Sequence, residues 1–262
     1  METIRASLQN KMTYTSSIML FANKKAAFSM LFWAVIALLF LWFGFASTRI
    51  FMFTKKAEVL IEQIEPYRQV GSGKPSILFL GDSMAYGTGS SLSETTIAGL
   101  IGQKLPEATI SNKAKNGTKT RILSRDIKAD IDKRYDIIIG ANDVMHPEVS
   151  LKESKEHLDK IYRIASDNAE NVIAITTGDF KHTSFFLYPL DLYFGSRSET
   201  LRNYAQEVSS RYKNVYYIDA FSGTNKPEWP SALESEDHLH LSDIGARYWV
   251  KKIFHNTNDL KF

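Results

Sequence analysis

The longest apolar run in the chain covers residues 26–46, with the sequence AAFSMLFWAVIALLFLWFGFA. Ser29 and Gly44 are its only residues outside the hydrophobic set, and it carries no charge. A helix of this length crosses a bilayer core of roughly 30 Å, so the pattern predicts one transmembrane helix. The alternative is a cleaved signal peptide, whose apolar region normally covers about 7–15 residues; Gly44-Phe45-Ala46 would then be the cleavage site.

The charges beside this run predict its orientation. Basic residues before it slightly outnumber those just after it: Arg5, Lys11, Lys24 and Lys25 against Arg49, Lys55 and Lys56. We therefore expect residues 1–25 to be cytoplasmic and the bulk of the chain to lie outside the cytoplasm. Residues 47–74 are predicted to be a linker that contains a short helix and ends at Gly71-Ser72-Gly73.

From residue 75 to 262, short β-rich apolar runs alternate with longer stretches of helical spacing. This alternation is typical of an α/β domain with a parallel sheet and crossover helices. Five strands are predicted, at 76–81, 108–114, 135–141, 171–178 and 215–221. Helices are predicted at 93–105, 119–133, 150–168, 196–212 and 242–254.

Composition narrows the class of protein. With 44% hydrophobic and 23% charged residues the chain is globular, and a net charge of +3 without a basic stripe gives no reason to expect a nucleic-acid partner. The absence of cysteine excludes disulfides, thiolate zinc sites and a cysteine nucleophile. Four histidines lack metal-ligand spacing, so no metal or cofactor is expected: His146, His157, His182 and His255.

Polar motifs gather where the predicted strands end. In an open parallel sheet, ligands bind beyond the carboxyl ends of the strands, so these positions are the informative ones. Four motifs occupy them or precede the last helix: Gly81-Asp82-Ser83, Asn116-Gly117-Thr118, Gly140-Ala141-Asn142-Asp143 and Asp237-His238-Leu239-His240.

These motifs contain the groups that acyl transfer needs. Ser83 is the candidate nucleophile, His240 the base and Asp237 the acid that orients it. Asp237 lies three residues before His240, a spacing that permits contact across a turn, whereas its immediate neighbour His238 is expected to point elsewhere. Asn142 and the backbone N–H groups of Gly117 and Ser83 are the candidate oxyanion hole.

The sequence does not match the residue spacing of three other well-known functional motifs. Gly87-Thr88-Gly89 lacks the third glycine of a dinucleotide loop, because Leu92 stands there. Gly73-Lys74 is followed by Pro75, not by the Ser or Thr that a phosphate-binding loop requires. The chain has no Gly-x-Ser-x-Gly elbow either, which disfavours the α/β-hydrolase type of serine enzyme.

The ordered motifs resemble those of the SGNH hydrolases, also called the GDSL family, over about residues 76–254. The Ser, Gly, Asn and His of that name match Ser83, Gly117, Asn142 and His240. The resemblance implies a flavodoxin-like three-layer α/β/α fold with a five-stranded parallel sheet. It also implies ester or thioester hydrolysis through an acyl-enzyme, without a metal.

Candidate substrate contacts follow the fourth predicted strand. Asp179 ends that strand, and an apolar loop over 183–194 includes Phe185, Phe186 and Tyr188. The loop either forms a wall of the substrate pocket or packs against the sheet edge or the membrane.

The sequence therefore predicts a membrane-anchored serine esterase without a cofactor. Its expected substrate is a small-acyl ester or a carbohydrate O-acyl ester. The molecule that carries the ester would be a small molecule, a lipid or a glycan. A thioesterase, a lysophospholipase or an acyltransferase would use the same residues, because the acceptor depends on pocket shape. The alternative of another class is a non-catalytic binding module of the cell envelope.

Overall fold

A computed structural model describes residues 2–72, 75–127, 135–140, 142–176, 178–219 and 231–257. The chain divides into two compact units, Met1–Arg49 and Ile50–Phe262. The first unit consists of most of helix α1, which begins at Glu2 and runs to Gln63 in the second unit.

Helix α1 contains the one stretch of the described residues that is long and apolar enough to cross a membrane. A signal sequence would meet the same test of length and composition. Large apolar side chains along this stretch are exposed, among them Phe28, Leu31, Trp33, Leu38, Phe40 and Phe43. By length and composition this exposed apolar stretch could therefore be a membrane span.

The residues after the apolar run differ from the linker that the sequence predicted. The helix does not stop and restart near residue 47; it continues unbroken to Gln63. Beyond it, Gln69 forms an antiparallel bridge with Ile110, and its side-chain amide donates to the carbonyls of Leu105 and Ala108. Residues 64–72 therefore pack along Thr109–Asn112, a strand at the edge of the sheet, because Gln69 forms hydrogen bonds with residues in and before that strand.

The second unit is built on a sheet of parallel strands, each four to six residues long. The strands are β1 (Ser76–Gly81), β2 (Thr109–Asn112), β3 (Tyr135–Ile139), β4 (Asn171–Ile175) and β5 (Val215–Ile218). Their order in the sheet is β2-β1-β3-β4-β5, and all neighbouring pairs are parallel. The order reverses at β1, so β2 and β3 flank it on opposite sides. This reversal makes the carboxyl end of β1 the switch point where a ligand crevice is expected.

Helices cover both faces of the sheet. They are α2 (Ser83–Tyr86), α3 (Ile97–Lys104), α4 (Thr120–Asp126), α5 (Leu151–Asn168), α6 (Leu190–Ser209) and α7 (Asp243–Asn256). Alternate strand residues point to opposite faces, so Leu78 and Leu80 enter one core while Ile77 and Phe79 enter the other. The first core is shared with α5, α6 and Phe53 of α1; the second is shared with α3 and α7.

Local sequence signals explain where the longer helices begin. Thr96, Ser150 and Ser242 each accept a hydrogen bond from a backbone N–H of the first turn of α3, α5 and α7. Such caps satisfy a donor that the helix itself cannot. They fix the starts of these elements within a few residues of the prediction from sequence.

Element ends agree less closely with the sequence prediction. Helix α6 begins at Leu190 and includes residues that the sequence analysis assigned to the apolar loop. The predicted ends of helix 119–133 and of strands 135–141, 171–178 and 215–221 include positions that lie outside the described residues. Strand β2 is shorter than predicted, because only its central residues pair with β1.

Candidate active site

Ser83 stands immediately beyond β1, at the first position of the short helix α2. Asp82 precedes it as the N-cap, and its carboxylate accepts the backbone N–H of Met84 at 3.0 Å. A residue at the first position of a helix has no helical carbonyl to receive its N–H. The backbone N–H of Ser83 is therefore available at the carboxyl edge of the sheet.

Ser83, His240 and Asp237 form one hydrogen-bonded chain. Ser83 Oγ lies 2.8 Å from His240 Nε2, and His240 Nδ1 lies 2.5 Å from Asp237 Oδ2. Because the carboxylate accepts the Nδ1 proton, Nε2 is left as the nitrogen that can accept the serine proton. Asp237 is fully buried and His240 is nearly so, which keeps water from competing for these contacts.

Asp237 is held by more than the histidine. Its Oδ1 accepts the hydroxyl of Ser235 at 2.7 Å and the backbone N–H groups of Leu239 and His240 at 3.0 Å each. Burial by itself raises the pKa of this carboxyl, but the hydrogen bonds and the nearby imidazole outweigh burial and hold it well below its usual range. Asp237 is therefore a carboxylate at any ordinary pH. The sequence analysis did not identify Ser235 as a contributor.

Asn142 and Gly117 lie close to each other after strands β3 and β2. Asn142 follows β3 and lines the same pocket as Ser83 and His240. Gly117 follows β2 with φ +70°, and a Cβ at that position would lie 3.6 Å from Asn142 Nδ2. The amide of Asn142 and the backbone of Gly117 are thus neighbours at the edge where the serine lies. The two residues that the sequence analysis named beside Ser83 for the oxyanion hole are therefore close to each other.

Asp82 is a second buried carboxyl beside the serine. Burial raises its pKa to about 6, although the hydrogen bond from Met84 and the nearby His240 oppose the shift. Its carboxylate lies against Gly140, where any Cβ would approach Asp82 Oδ1 to 2.1 Å. Gly140 also has φ +82°, so both space and conformation require glycine there.

Two residues that hold parts of the candidate site in place lie outside the sequence motifs. Arg197 of α6 donates to the carbonyls of Asp143, Val144, His146 and Val149, and so fixes the loop that carries Asn142.

The other support is Phe53 in α1. The centre of its ring lies 4.6 Å from the centre of the ring of His238, a residue that stands between Asp237 and His240 in the sequence. His238 has φ +58°, a left-handed conformation that costs energy outside glycine, and the Phe53 contact helps to hold it there. Its side chain points to Phe53 and Glu234, as expected for a histidine that is not the base.

The predicted substrate contacts separate into two groups. Asp179 is buried and lines a pocket that also touches His240. Phe185 and Phe186 are buried in the core against Phe53 and Phe194, so they pack within the protein and do not line the described pockets that contain His240. Tyr188 is 69% exposed and is likewise absent from these pocket walls. For Phe185 and Phe186 this packing favours the alternative that the loop packs against the protein, because aromatic rings gain from mutual burial.

Two residues that the sequence analysis did not single out do line the pocket of Ser83. Phe180 and Leu239 form its apolar walls, together with Met84 and Met145. Within the described residues, no group of three or more His, Asp or Glu side chains is arranged to hold a metal ion.

The family comparison agrees with this geometry. Residues 79–248 match the model of the GDSL-like lipase/acylhydrolase family, which covers more than half of the chain. The chain therefore belongs to this family, and it is an ester-bond hydrolase. A search of curated protein sequences finds no match.

Solved structures share the fold at low sequence identity. LAE5, an alpha/beta hydrolase enzyme from the metagenome of Lake Arreo in Spain, is 15% identical with a TM-score of 0.58, covering 72% of this chain and 98% of its own. A catalytic mutant of Axe2, an acetylxylan esterase from Geobacillus stearothermophilus, is 19% identical with a TM-score of 0.56, covering 72% and 95%. The acetyl xylan esterase AlAXEase is 18% identical with a TM-score of 0.53, covering 69% and 98%.

Proposed function

We propose that the chain is a serine esterase in which Ser83 attacks the ester, His240 moves the proton and Asp237 orients His240. The observation that carries this proposal is the unbroken chain of contacts from Asp237 Oδ2 through the imidazole to Ser83 Oγ. Each contact joins the atoms that proton transfer requires.

The proposed reaction has two halves. Ser83 Oγ attacks the carbonyl carbon while its proton passes to His240 Nε2, and the oxyanion is stabilised by Asn142 Nδ2 and the N–H groups of Gly117 and Ser83. The tetrahedral intermediate expels the alcohol, which takes the proton from His240. Water then attacks the acyl-serine with His240 as base, and collapse releases the carboxylic acid and restores the Ser83 hydroxyl.

The proposed substrate is an ester of a small acyl group, including an O-acetyl group on a carbohydrate. The pocket of Ser83 is small and is lined by Met84, Met145, Phe180 and Leu239, which favours a short acyl chain. Two of the structures that share the fold are described as acetylxylan esterases. A thioesterase, a lysophospholipase or an acyltransferase would use the same three residues, so the acyl acceptor must be measured.

The first experiment tests the nucleophile in full-length protein purified in detergent. A fluorophosphonate probe should label the wild type, and the protein should hydrolyse p-nitrophenyl acetate, whereas Ser83→Ala should lose both properties. Ser196→Ala is the matched control, because this exposed serine lies on α6, outside the described pockets of the site. Equal turnover in Ser83→Ala and wild type would reject the mechanism. Labelling that is absent even from the wild type would favour the binding module.

We further propose that the apolar part of α1 anchors the chain, with the N-terminus in the cytoplasm and the hydrolase unit outside. The supporting observations are the exposed apolar surface of α1 and the small excess of basic residues before it. The full-length protein should resist carbonate extraction, and protease added to intact cells should digest the hydrolase unit. Protection of that unit would reverse the orientation, and a mature N-terminus at Ser47 would identify a cleaved signal peptide.

A further inference from the structure

A second Asp–His pair lies close to the candidate active site and has no part in the proposed reaction. Asp179 follows β4, is 4% exposed, and its Oδ2 lies 2.7 Å from His182 Nδ1. The other carboxylate oxygen accepts the backbone N–H of Lys181 at 2.9 Å. The carboxylate is therefore fixed from two sides, and it fixes the imidazole in turn.

The pair lines a pocket that adjoins the pocket of Ser83. The two pockets share Met84, Phe180, Leu239 and His240. The remaining walls of the second pocket combine apolar and polar side chains, and include Asp179, His182, Thr183, Glu234, Leu241 and Trp249. A substrate whose ester lies at Ser83 would extend its alcohol or acyl part past His240 into this space.

Two polar side chains of this pocket, those of His182 and Glu234, carry hydrogen-bond acceptors. Because Asp179 accepts the Nδ1 proton of His182, the Nε2 atom of that ring carries a lone pair. The His182 side chain is 28% exposed and lines the pocket. Glu234 adds a carboxylate, whose oxygens already meet the N–H of Ser184 at 3.0 Å and His238 Nδ1 at 3.3 Å. A ligand that complements these acceptors must bring hydrogen-bond donors.

We propose that this pocket binds the alcohol part of the substrate and recognises a free hydroxyl group close to the ester, which donates to His182 Nε2. The proposal rests on the proposed esterase function and names its substrate class: partly acylated polyols and sugars. Simple alkyl esters lack the hydroxyl, and fully acylated polyols have lost it. Asp179 is the positioning residue, because it determines which nitrogen of His182 can accept.

The test compares two acetate esters of three-carbon alcohols, glycerol 1-monoacetate and n-propyl acetate, with full-length protein in detergent. A hydrogen bond between neutral groups contributes about 0.5–1.5 kcal/mol, so wild-type kcat/KM should favour the glycerol ester by about 2–10-fold. His182→Phe retains a ring but has no acceptor, and it should abolish this preference. His182→Gln returns an acceptor and should restore part of it.

Asp179→Asn supplies the second readout. An asparagine amide can donate to Nδ1, which places the ring proton on Nε2 and removes the acceptor, so the preference should fall although His182 is present. His255→Phe is the control, because this exposed histidine lies in the last turn of α7. It should leave the kcat/KM values of both esters unchanged.

The outcomes distinguish the two proposals. A wild type that hydrolyses neither ester and does not react with the fluorophosphonate probe contradicts the proposed function. A labelled, active wild type with equal kcat/KM for both esters contradicts only the hydroxyl recognition. The latter is also overturned if His182→Phe retains the preference, or if it lowers both kcat/KM values by the same factor.

Discussion

Two Asp-x-x-His segments lie around one pair of adjoining pockets, and their local geometry is nearly the same. In each, the imidazole Nδ1 meets the carboxylate of the aspartate three residues earlier, at 2.5 Å for Asp237–His240 and at 2.7 Å for Asp179–His182. They differ at the other ring nitrogen, because His240 Nε2 lies 2.8 Å from the Ser83 hydroxyl. Among the described contacts, His182 meets no such hydroxyl.

The surroundings of the two aspartates differ as well. Besides the bond from the His240 imidazole, Asp237 accepts three hydrogen bonds, from the Ser235 hydroxyl and the backbone N–H groups of Leu239 and His240. These bonds help to hold its pKa well below the usual range despite burial. A strongly stabilised carboxylate is suited to pairing with the imidazolium that forms during proton transfer. The comparison indicates that an Asp-x-x-His spacing builds an oriented imidazole, whereas the neighbour of Nε2 decides whether it serves as a base.

The largest expected effect separates the histidines. His240→Ala should lower kcat for p-nitrophenyl acetate by about 10⁴–10⁶-fold, because no base remains to take the serine proton. His182→Ala should stay within about tenfold of wild type, because p-nitrophenyl acetate has no hydroxyl group to donate to His182. His238→Ala should remain within about tenfold of wild type, since this ring faces Phe53 and not Ser83. Steady-state kinetics on the full-length protein measure all three. If His182→Ala is the inactive variant, the proposed base is the wrong histidine.

A smaller effect is expected at the aspartates. Asp237→Asn should lower kcat by about 10²–10⁴-fold with little change in KM, because the imidazole loses its orientation and its counter-charge. Asp179→Asn should affect mainly esters that carry a neighbouring hydroxyl, by about 2–10-fold in kcat/KM. Measuring both variants with p-nitrophenyl acetate and glycerol monoacetate checks this difference. Equal losses on the two substrates in both variants would remove the functional distinction between the pairs.

The smallest effect concerns stability and the carboxyl next to the serine. Because burial raises the pKa of Asp82 to about 6 in the folded chain, the folded state holds this proton more tightly than the unfolded state does. Wild-type stability should therefore fall as pH rises from about 4 to 6, by about 2–3 kcal/mol, and should not fall further from this cause above pH 6.

Asp82→Asn tests this assignment by chemical denaturation at a series of pH values. An asparagine can still accept the N–H of Met84, so the cap of α2 is retained. The free energy of unfolding of Asp82→Asn relative to wild type should increase between pH 4 and 6 and then stay constant. A difference that is independent of pH would show that another group causes the dependence.

Much of the site was predictable because it depends on short-range chemistry. Ser83 follows an apolar strand, Asn142 follows another, and the contact between Asp237 and His240 closes within one turn of the chain. Such features depend on neighbouring residues, which the sequence states directly. The spacing also contained the Asp179–His182 pair, but the sequence analysis treated His182 only as a histidine without metal-ligand spacing.

The contact between His240 and Ser83 depends on the tertiary structure, because the two residues are 157 positions apart and the order of strands in the sheet brings them together. The tertiary structure also decided that Phe185 and Phe186 pack into the core, that α1 continues to Gln63, and that Arg197 fixes the loop of Asn142. The sequence by itself determined the long apolar segment near the N-terminus, the alternation of strands and helices, and the reactive groups at strand ends. Periodicity and local caps encode these features, whereas contacts between distant elements depend on how their surfaces pack, and no short segment contains that information.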